Sequence, residues 1–509
     1  MKRSNVLIFI FFVLSGAFLS NAQTLTKTPY LADPGDNSIT IRWESDVETN
    51  FSVEYGNSKS FGRSVSGELI GFEKSGYLYE ANISKLKTGK TYYYRVRSDN
   101  ITSGVSTFKA SVKSKQPFSF VVLGDSRSKP HVFNAIAKQV NVIDPALIVA
   151  NGDLVAKGGD FDQWQAQFFD AAEEMIDHIP FITTVGDHES DEVDGDEAKL
   201  FTHYLFPDLD HLKLWFSYDI GNAHFVFLDW RHPFNTEMIN WFKEDVKGSN
   251  KLWKFVVMHR ATYNLGGHRT AWGRDVWPDL FRENKIDIVF AGHSHLYERF
   301  YPLRPMADPD SWAVTYITTG GAGASLYEAI DNPSMAYTKS INHFLKVDIQ
   351  KNNINLKAIG LDAKVIDSIS WEKNRGTISS DYLKLVKPQE EMDVVNVFNG
   401  PISQRMKRLP MVEVPYEPVL KLRSGKIKED IVFTIRLAEA SVGNYEMESV
   451  TGVLKAGENL DLTLKIFGRS TLTVSKWGDL QPELRLITEY KTKSFKGKIT
   501  GKLLEYIAW

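Results

Sequence analysis

The chain has 509 residues, 43% of them hydrophobic and 24% charged, a composition of soluble globular domains, about three of them at this length. A formal net charge of -3 leaves no basic footprint and excludes nucleic acid as a bulk partner. The chain has no cysteine, which excludes disulfides, thiolate metal sites and lipid attachment through an N-terminal cysteine.

The first residues have the build of a secretory leader. Lys2 and Arg3 precede an apolar run from Val6 to Ala17. Ser20 and Ala22 then put small residues at the −3 and −1 positions of a signal-peptidase site before Gln23. The run is short for a bilayer span. Residues 1–22 are therefore expected to be a cleaved signal peptide. The mature chain would carry no membrane anchor and would be secreted or periplasmic.

Residues 24–112 read as short strands. Ile39, Ile41 and Trp43 alternate with polar residues, and a further extended run begins at Ser52. The segment from Leu86 through Tyr92 to Val96 resembles the corner of fibronectin type III domains, where a leucine and a tyrosine fix the turn into a core strand.

From Phe118 the pattern changes. Apolar runs at Phe118–Leu123, Ala146–Ala150, Phe181–Val185, His224–Leu228, Phe255–Met258 and Ile286–Ala291 predict buried strands. Amphipathic stretches at Val132–Val142, Trp164–Ile176, Glu237–Val246 and Val276–Glu283 predict helices between them. Such alternation implies a layered α/β domain over residues 117–371 with its chemistry at the carboxyl ends of the strands. It closes with a hairpin, Phe344–Ile349 and Ile354–Ile359, and a polar stretch around Glu372–Ser380 reads as a linker. Residues 380–509 are again strand-like: Leu460, Leu462, Leu464 and Ile466 alternate with polar residues, predicting a C-terminal β-sandwich.

Five motifs stand where the apolar runs stop. They are Gly124-Asp125-Ser126-Arg127, Gly152-Asp153, Gly186-Asp187-His188-Glu189, Val256-Val257-Met258-His259 and Gly292-His293-Ser294-His295. Each sets a carboxylate or imidazole just past a buried strand. Oxygen and nitrogen donors without thiolates suit Mn, Zn or Fe. One such motif is commonly a turn; five in order, each at its own strand end, point to a metal centre.

The order of these motifs resembles that of calcineurin-like metallophosphoesterases. The N-terminal sandwich and the stretch Phe290–Arg299 resemble purple acid phosphatases more narrowly. The resemblance covers residues 24–371 and implies a four-layer α/β/β/α sandwich, flanked here by a fibronectin-like β-sandwich and a C-terminal β domain. It also implies a pair of metal ions. Asp125 and His295 would hold the first, Asp153 would bridge both, and Asp187, His259 and His293 would hold the second. His188 would stand beside the scissile ester as proton donor or transition-state stabiliser. His268 is a candidate phosphate contact.

Three positions depart from the family pattern. Ala156 stands where purple acid phosphatases place a metal-bound tyrosine, and Asp187 replaces an asparagine. Arg127 stands where common relatives place a histidine ligand, and it has no lone pair to offer. Its planar fork is expected to reach over the first metal and bind substrate phosphate. Trp230, Arg231 and His232 are candidates to line the cleft. The acidic run Asp191, Glu192, Asp194, Asp196 and Glu197 reads as a solvated loop, or alternatively as a calcium site.

The reading is an exported hydrolase of phosphate monoesters. Alternatives are a phosphodiesterase with the same centre and a non-catalytic surface protein that binds phosphate-bearing glycans.

Overall fold

A computed structural model describes residues 23–113, 115–190, 197–374, 377–403, 405–406, 412–439, 441, 444–469 and 484–505. The expected signal peptide and residues 191–196 of the acidic run lie outside them. Among the described residues no helix is long and apolar enough to cross a membrane.

Two seven-stranded sheets form the centre of the molecule. In the first, Phe181–Thr183, Leu147–Ala150 and Phe118–Leu123 run parallel. The antiparallel strands His343–Gln350, Asn353–Gly360 and Val365–Asn374 extend it. In the second, Ala223–Phe227, Trp253–Met258, Ile288–Ala291 and Thr315–Thr319 are parallel neighbours. Strands covered on both faces are apolar at nearly every position, which is why they stood out as unbroken runs.

Alternation along these strands builds the layers. Phe225, Phe255 and Phe290 pack on Phe120 of the facing sheet, with ring centroids 4.9, 5.3 and 6.4 Å away. Their neighbours Val226, Val256 and Val289 point the other way, into a cluster with Phe242 and Trp277 of the helices Thr236–Gly248 and Trp277–Glu283. Helices Pro130–Ile143 and Asp170–Ile176 cover the outer face of the first sheet. The result is the α/β/β/α sandwich. The expected helix from Trp164 begins instead as a wide π turn, Trp164–Phe169, whose Trp164 indole donates to the Gly158 carbonyl at 2.7 Å.

The first sheet continues into the polar stretch expected to be a linker: Val365–Asn374 pairs with Asn353–Gly360 as far as Glu372, and Lys373 and Asn374 pair with Ile378 and Thr377. Polarity there reflects a strand near the sheet edge, with one face toward solvent. Beyond it, helix Gln389–Asn399 drives Met392, Val395 and Phe398 into the same apolar cluster as Val226 and Val256. Ile431, Phe433, Leu484 and Leu486 of a five-stranded C-terminal sheet join that cluster.

The N-terminal segment forms two four-stranded antiparallel sheets. Leu86 and Tyr92 are buried, and the Lys87 N–H donates to the Tyr92 hydroxyl at 2.9 Å, closing the corner. Arg42 locks this sandwich to the central domain. Its guanidinium pairs with Asp33, donates to Glu80 at 3.0 Å and reaches the Leu205 carbonyl at 2.8 Å.

One histidine far from the motifs makes stability depend on pH. His224 lies between Asp219 at 2.7 Å and Asp245 at 2.9 Å. Burial works against its charge, yet these two carboxylates outweigh burial and hold its pKa above 6.5. A raised folded-state value gives stability that is fully present below about pH 6.5 and fades as pH rises through that value. His224→Asn should therefore cost about 1–2 kcal/mol at pH 6 and clearly less at pH 9. Urea unfolding at the two pH values measures this; an equal cost at both would remove the charge from the account.

Candidate metal centre

The site is made by turns at five strand ends. Asp125, Asp153 and His293 adopt left-handed φ values of 58°, 58° and 66°. Non-glycine residues enter that region at a cost of order 1–3 kcal/mol, and the surrounding contacts hold them there. Glycines allow the close approach. A Cβ on Gly152 would come within 2.6 Å of the Gly186 nitrogen, and one on Gly186 within 2.2 Å of the Asp153 nitrogen.

Glu189 ties two of these turns together. Its buried carboxylate accepts N–H bonds from Asp153 (2.9 Å), Leu154 (2.6 Å), Val155 (3.2 Å) and Gly186 (2.8 Å). Burial and the Asp153 charge raise its pKa to about 7 despite those donors.

Six side chains converge in two groups. Asp187, His259 and His293 offer three atoms within 4.8 Å of one another, and Asp125, Asp153 and His295 do the same. Asp187 Oδ1 lies 2.5 Å from His259 Nε2 and 2.9 Å from His293 Nδ1. His295 Nε2 lies 3.4 Å from Asp125 Oδ1. Asp153 faces both groups. Its Oδ1 is 3.4 Å from His259 Nε2 and its Oδ2 accepts from Arg127 Nε at 3.1 Å.

Backbone carbonyls set the imidazole tautomers. Nδ1 of His259 donates to Asn151 and Nδ1 of His295 to Ser325, each at 2.7 Å, which turns both Nε2 atoms inward. Burial opposes charge in the cluster, but the carboxylates prevail at His259, whose pKa rises to about 10 through Asp153 and Asp187. The Asp187 carboxyl is held far below its usual range by His259 and His293, against the cost of burial. Three carboxylates and three imidazoles at these separations form an oxygen and nitrogen donor set that suits divalent transition metals.

Comparison with known proteins agrees with this geometry. Residues 118–297 match the family described as calcineurin-like phosphoesterase, and residues 28–110 match the purple acid phosphatase N-terminal domain. Residues 118–297 are a calcineurin-like phosphoesterase domain. Purple acid phosphatase 21 of Arabidopsis thaliana is 28% identical over 299 residues, covering 55% of this chain and 67% of the relative. Probable inactive purple acid phosphatase 1 of the same plant is 24% identical over 425 residues, 68% of each chain. The structure of purple acid phosphatase PPD1 from yellow lupin seeds shares the fold, with a TM-score of 0.60 and 22% identity over 69% of this chain and 75% of that one. The chain thus carries a metallophosphoesterase domain.

Around the phosphoesterase centre, the other candidates take distinct places. His188 donates from Nδ1 to the Ala156 carbonyl at 2.8 Å and directs Nε2 toward Asp153, 3.9 Å away. His268 stacks on His293 with ring centroids 3.9 Å apart and lies 3.0 Å from the Tyr327 hydroxyl. Burial, reinforced by His293 and His295, lowers its pKa to about 3, so this wall of the site is a neutral imidazole. Arg127 turns into the centre, beside Asp153 and His295.

The cleft-lining expectation needs one correction. Arg231 folds back onto Asp229 at 2.6 Å and the His211 carbonyl at 2.8 Å, because a buried carboxylate two residues away captures it. His232 is exposed, its backbone N–H donating to the Asp229 carbonyl at 3.4 Å. Trp230 does face the site, 6.4 Å from the His259 ring, and carries the Arg260 guanidinium 3.9 Å above its own.

Sequence reasoning passed over Glu189, Arg260 and Tyr327. The first two sit inside or beside motifs already recognised, so adjacency was the available signal. Tyr327, stacked 4.5 Å from the His295 ring, comes from a loop with no local mark.

Proposed function

We propose that the chain hydrolyses phosphate monoesters with two metal ions and acts outside the cytoplasm after loss of residues 1–22. The observation that carries this is the meeting of six donor residues from five strand ends in two groups that share Asp153. Asp125, Asp153 and His295 would hold one ion; Asp153, Asp187, His259 and His293 would hold the other. Fe, Zn or Mn suit these donors. When bound, such ions supply Lewis acidity at the phosphoryl oxygens and make a nucleophile of water near neutral pH.

The chain's own residues do the rest. Asp153 sets the spacing of the groups, one oxygen toward each. Glu189 fixes the turns that carry Asp153 and Asp187. His188, tied at Nδ1, presents Nε2 where a departing alkoxide needs a proton. Arg127 brings guanidinium charge to Asp153 and Arg260 to Asp187, which favours the dianion of a monoester over the monoanion of a diester. His268 and Tyr327 wall the site and supply neutral contacts.

The test compares 4-nitrophenyl phosphate with bis(4-nitrophenyl) phosphate, before and after exhaustive chelation. Monoester kcat/KM should exceed diester kcat/KM by roughly tenfold or more, and both activities should vanish with the metal. A preference for the diester would make the chain a phosphodiesterase. Metal-loaded protein that binds phosphate without turning over either ester would make it a non-catalytic binding protein.

A further inference from the structure

Arg127 gives the two donor groups unequal access to a cation. His295 Nδ1 is committed to the Ser325 carbonyl, so its Nε2 carries a lone pair, and Arg127 Nη2 lies 3.4 Å from it. Arg127 Nε donates to Asp153 Oδ2 at 3.1 Å. Two of the three donor atoms in the group Asp125, Asp153 and His295 are thus already claimed by one guanidinium. That side chain is anchored: its exposure is 15%, Nη1 donates to Ser128 Oγ at 3.2 Å, and its backbone N–H donates to the Asp153 carbonyl at 3.2 Å.

The other group is open by comparison. Arg260 meets the outer oxygen of Asp187, Oδ2, at 3.6 Å. The inner oxygen, Oδ1, faces His259 and His293. Asp153 adds its own Oδ1 there, 3.4 Å from His259 Nε2, so four residues surround this position. The first group has three, and neither Arg127 nor Ala156 adds a ligand.

Charge points the same way. Asp125, Asp153 and Asp187 carry three negative charges. With the Arg127 and Arg260 guanidiniums, one divalent ion already exceeds them by one positive charge, and a second divalent ion beside Arg127 would add two more.

We propose that Arg127 is a resident cation of the first group, so that metal fills the centre in two separated steps. The group of Asp153, Asp187, His259 and His293 loads first and tightly. The group of Asp125, Asp153 and His295 loads only when the guanidinium swings out of it. This rests on the reading of the cluster as a metal centre.

The experiment is equilibrium dialysis of the metal-free full chain against zinc, with bound metal counted by atomic emission. Wild type should bind one zinc, and a second only at roughly a hundredfold higher free zinc or more. Arg127→Met removes the charge and keeps the bulk; the two steps should merge, with the weaker one tightening at least about tenfold. A thermal melt of the variant checks that it is folded. His295→Ala should delete the weak step and His293→Ala the tight one. Two equally tight zinc ions in wild type, or unchanged spacing in a folded Arg127→Met, overturn the role of Arg127 alone. A wild type that binds no zinc overturns the metal reading and this proposal with it.

Discussion

Asp153→Ala should lower kcat/KM for a phosphate monoester by at least about a thousandfold, the largest loss expected from any single change in this chain. Asp153 faces both donor groups, with Oδ1 3.4 Å from His259 Nε2 and Oδ2 3.1 Å from Arg127 Nε beside the group of Asp125 and His295. It also accepts the His188 N–H at 3.1 Å, so it holds the proposed proton donor's backbone. Removing it takes a ligand from each group and frees Arg127 at once. Asp153→Asn keeps the shape and loses the charge, and should fall between alanine and wild type. Circular dichroism establishes that each variant is folded, and metal content should drop in parallel with activity. A folded Asp153→Ala that keeps its metal and more than a tenth of its activity would show that the two groups do not work as one centre.

The second large effect belongs to His188 and depends on the substrate. His188→Ala should slow an alkyl phosphate by about a hundredfold to ten-thousandfold and 4-nitrophenyl phosphate far less. The imidazole is tied through Nδ1 to the Ala156 carbonyl, is 29% exposed and directs Nε2 toward the centre, 3.9 Å from Asp153 Oδ2, where the proposed function puts the leaving group. An alkoxide leaves only with a proton, whereas nitrophenolate is stable enough to leave alone. A plot of log kcat/KM against leaving-group pKa should therefore be steeper for the variant. Parallel lines would assign His188 to binding or positioning of phosphate.

What could be read from the chain before its fold was seen follows from local physics. Buried parallel strands such as Phe118–Leu123 and Trp253–Met258 are apolar on both faces, so each declared itself as an unbroken run. The residues just past those runs had to turn, and at four of the five ends a glycine followed by a carboxylate or imidazole marked the turn that carries a convergent side chain. The fold class, and which six side chains would converge, were legible for that reason.

Other features were settled only by distance in space. The polar stretch after Trp371 looked like a linker because an edge strand needs little apolar surface, yet Glu372 pairs with Asn353, and Lys373 and Asn374 with Ile378 and Thr377, at the edge of the first sheet. Arg231 is a cleft-lining candidate by sequence, but Asp229 is near enough to capture it. Tyr327 reaches His295 from a loop whose sequence carries no sign of the site. The arginine two residues after Asp125 could be seen at once to lack a lone pair, but not where its charge would rest. Its placement against Asp153 and His295 needs strand ends far apart in sequence to meet. Periodicity and turn chemistry act within a few residues and so are written along the sequence. Pairings of charge across strands depend on where the packed sheets bring those ends together, and only the tertiary structure decides that.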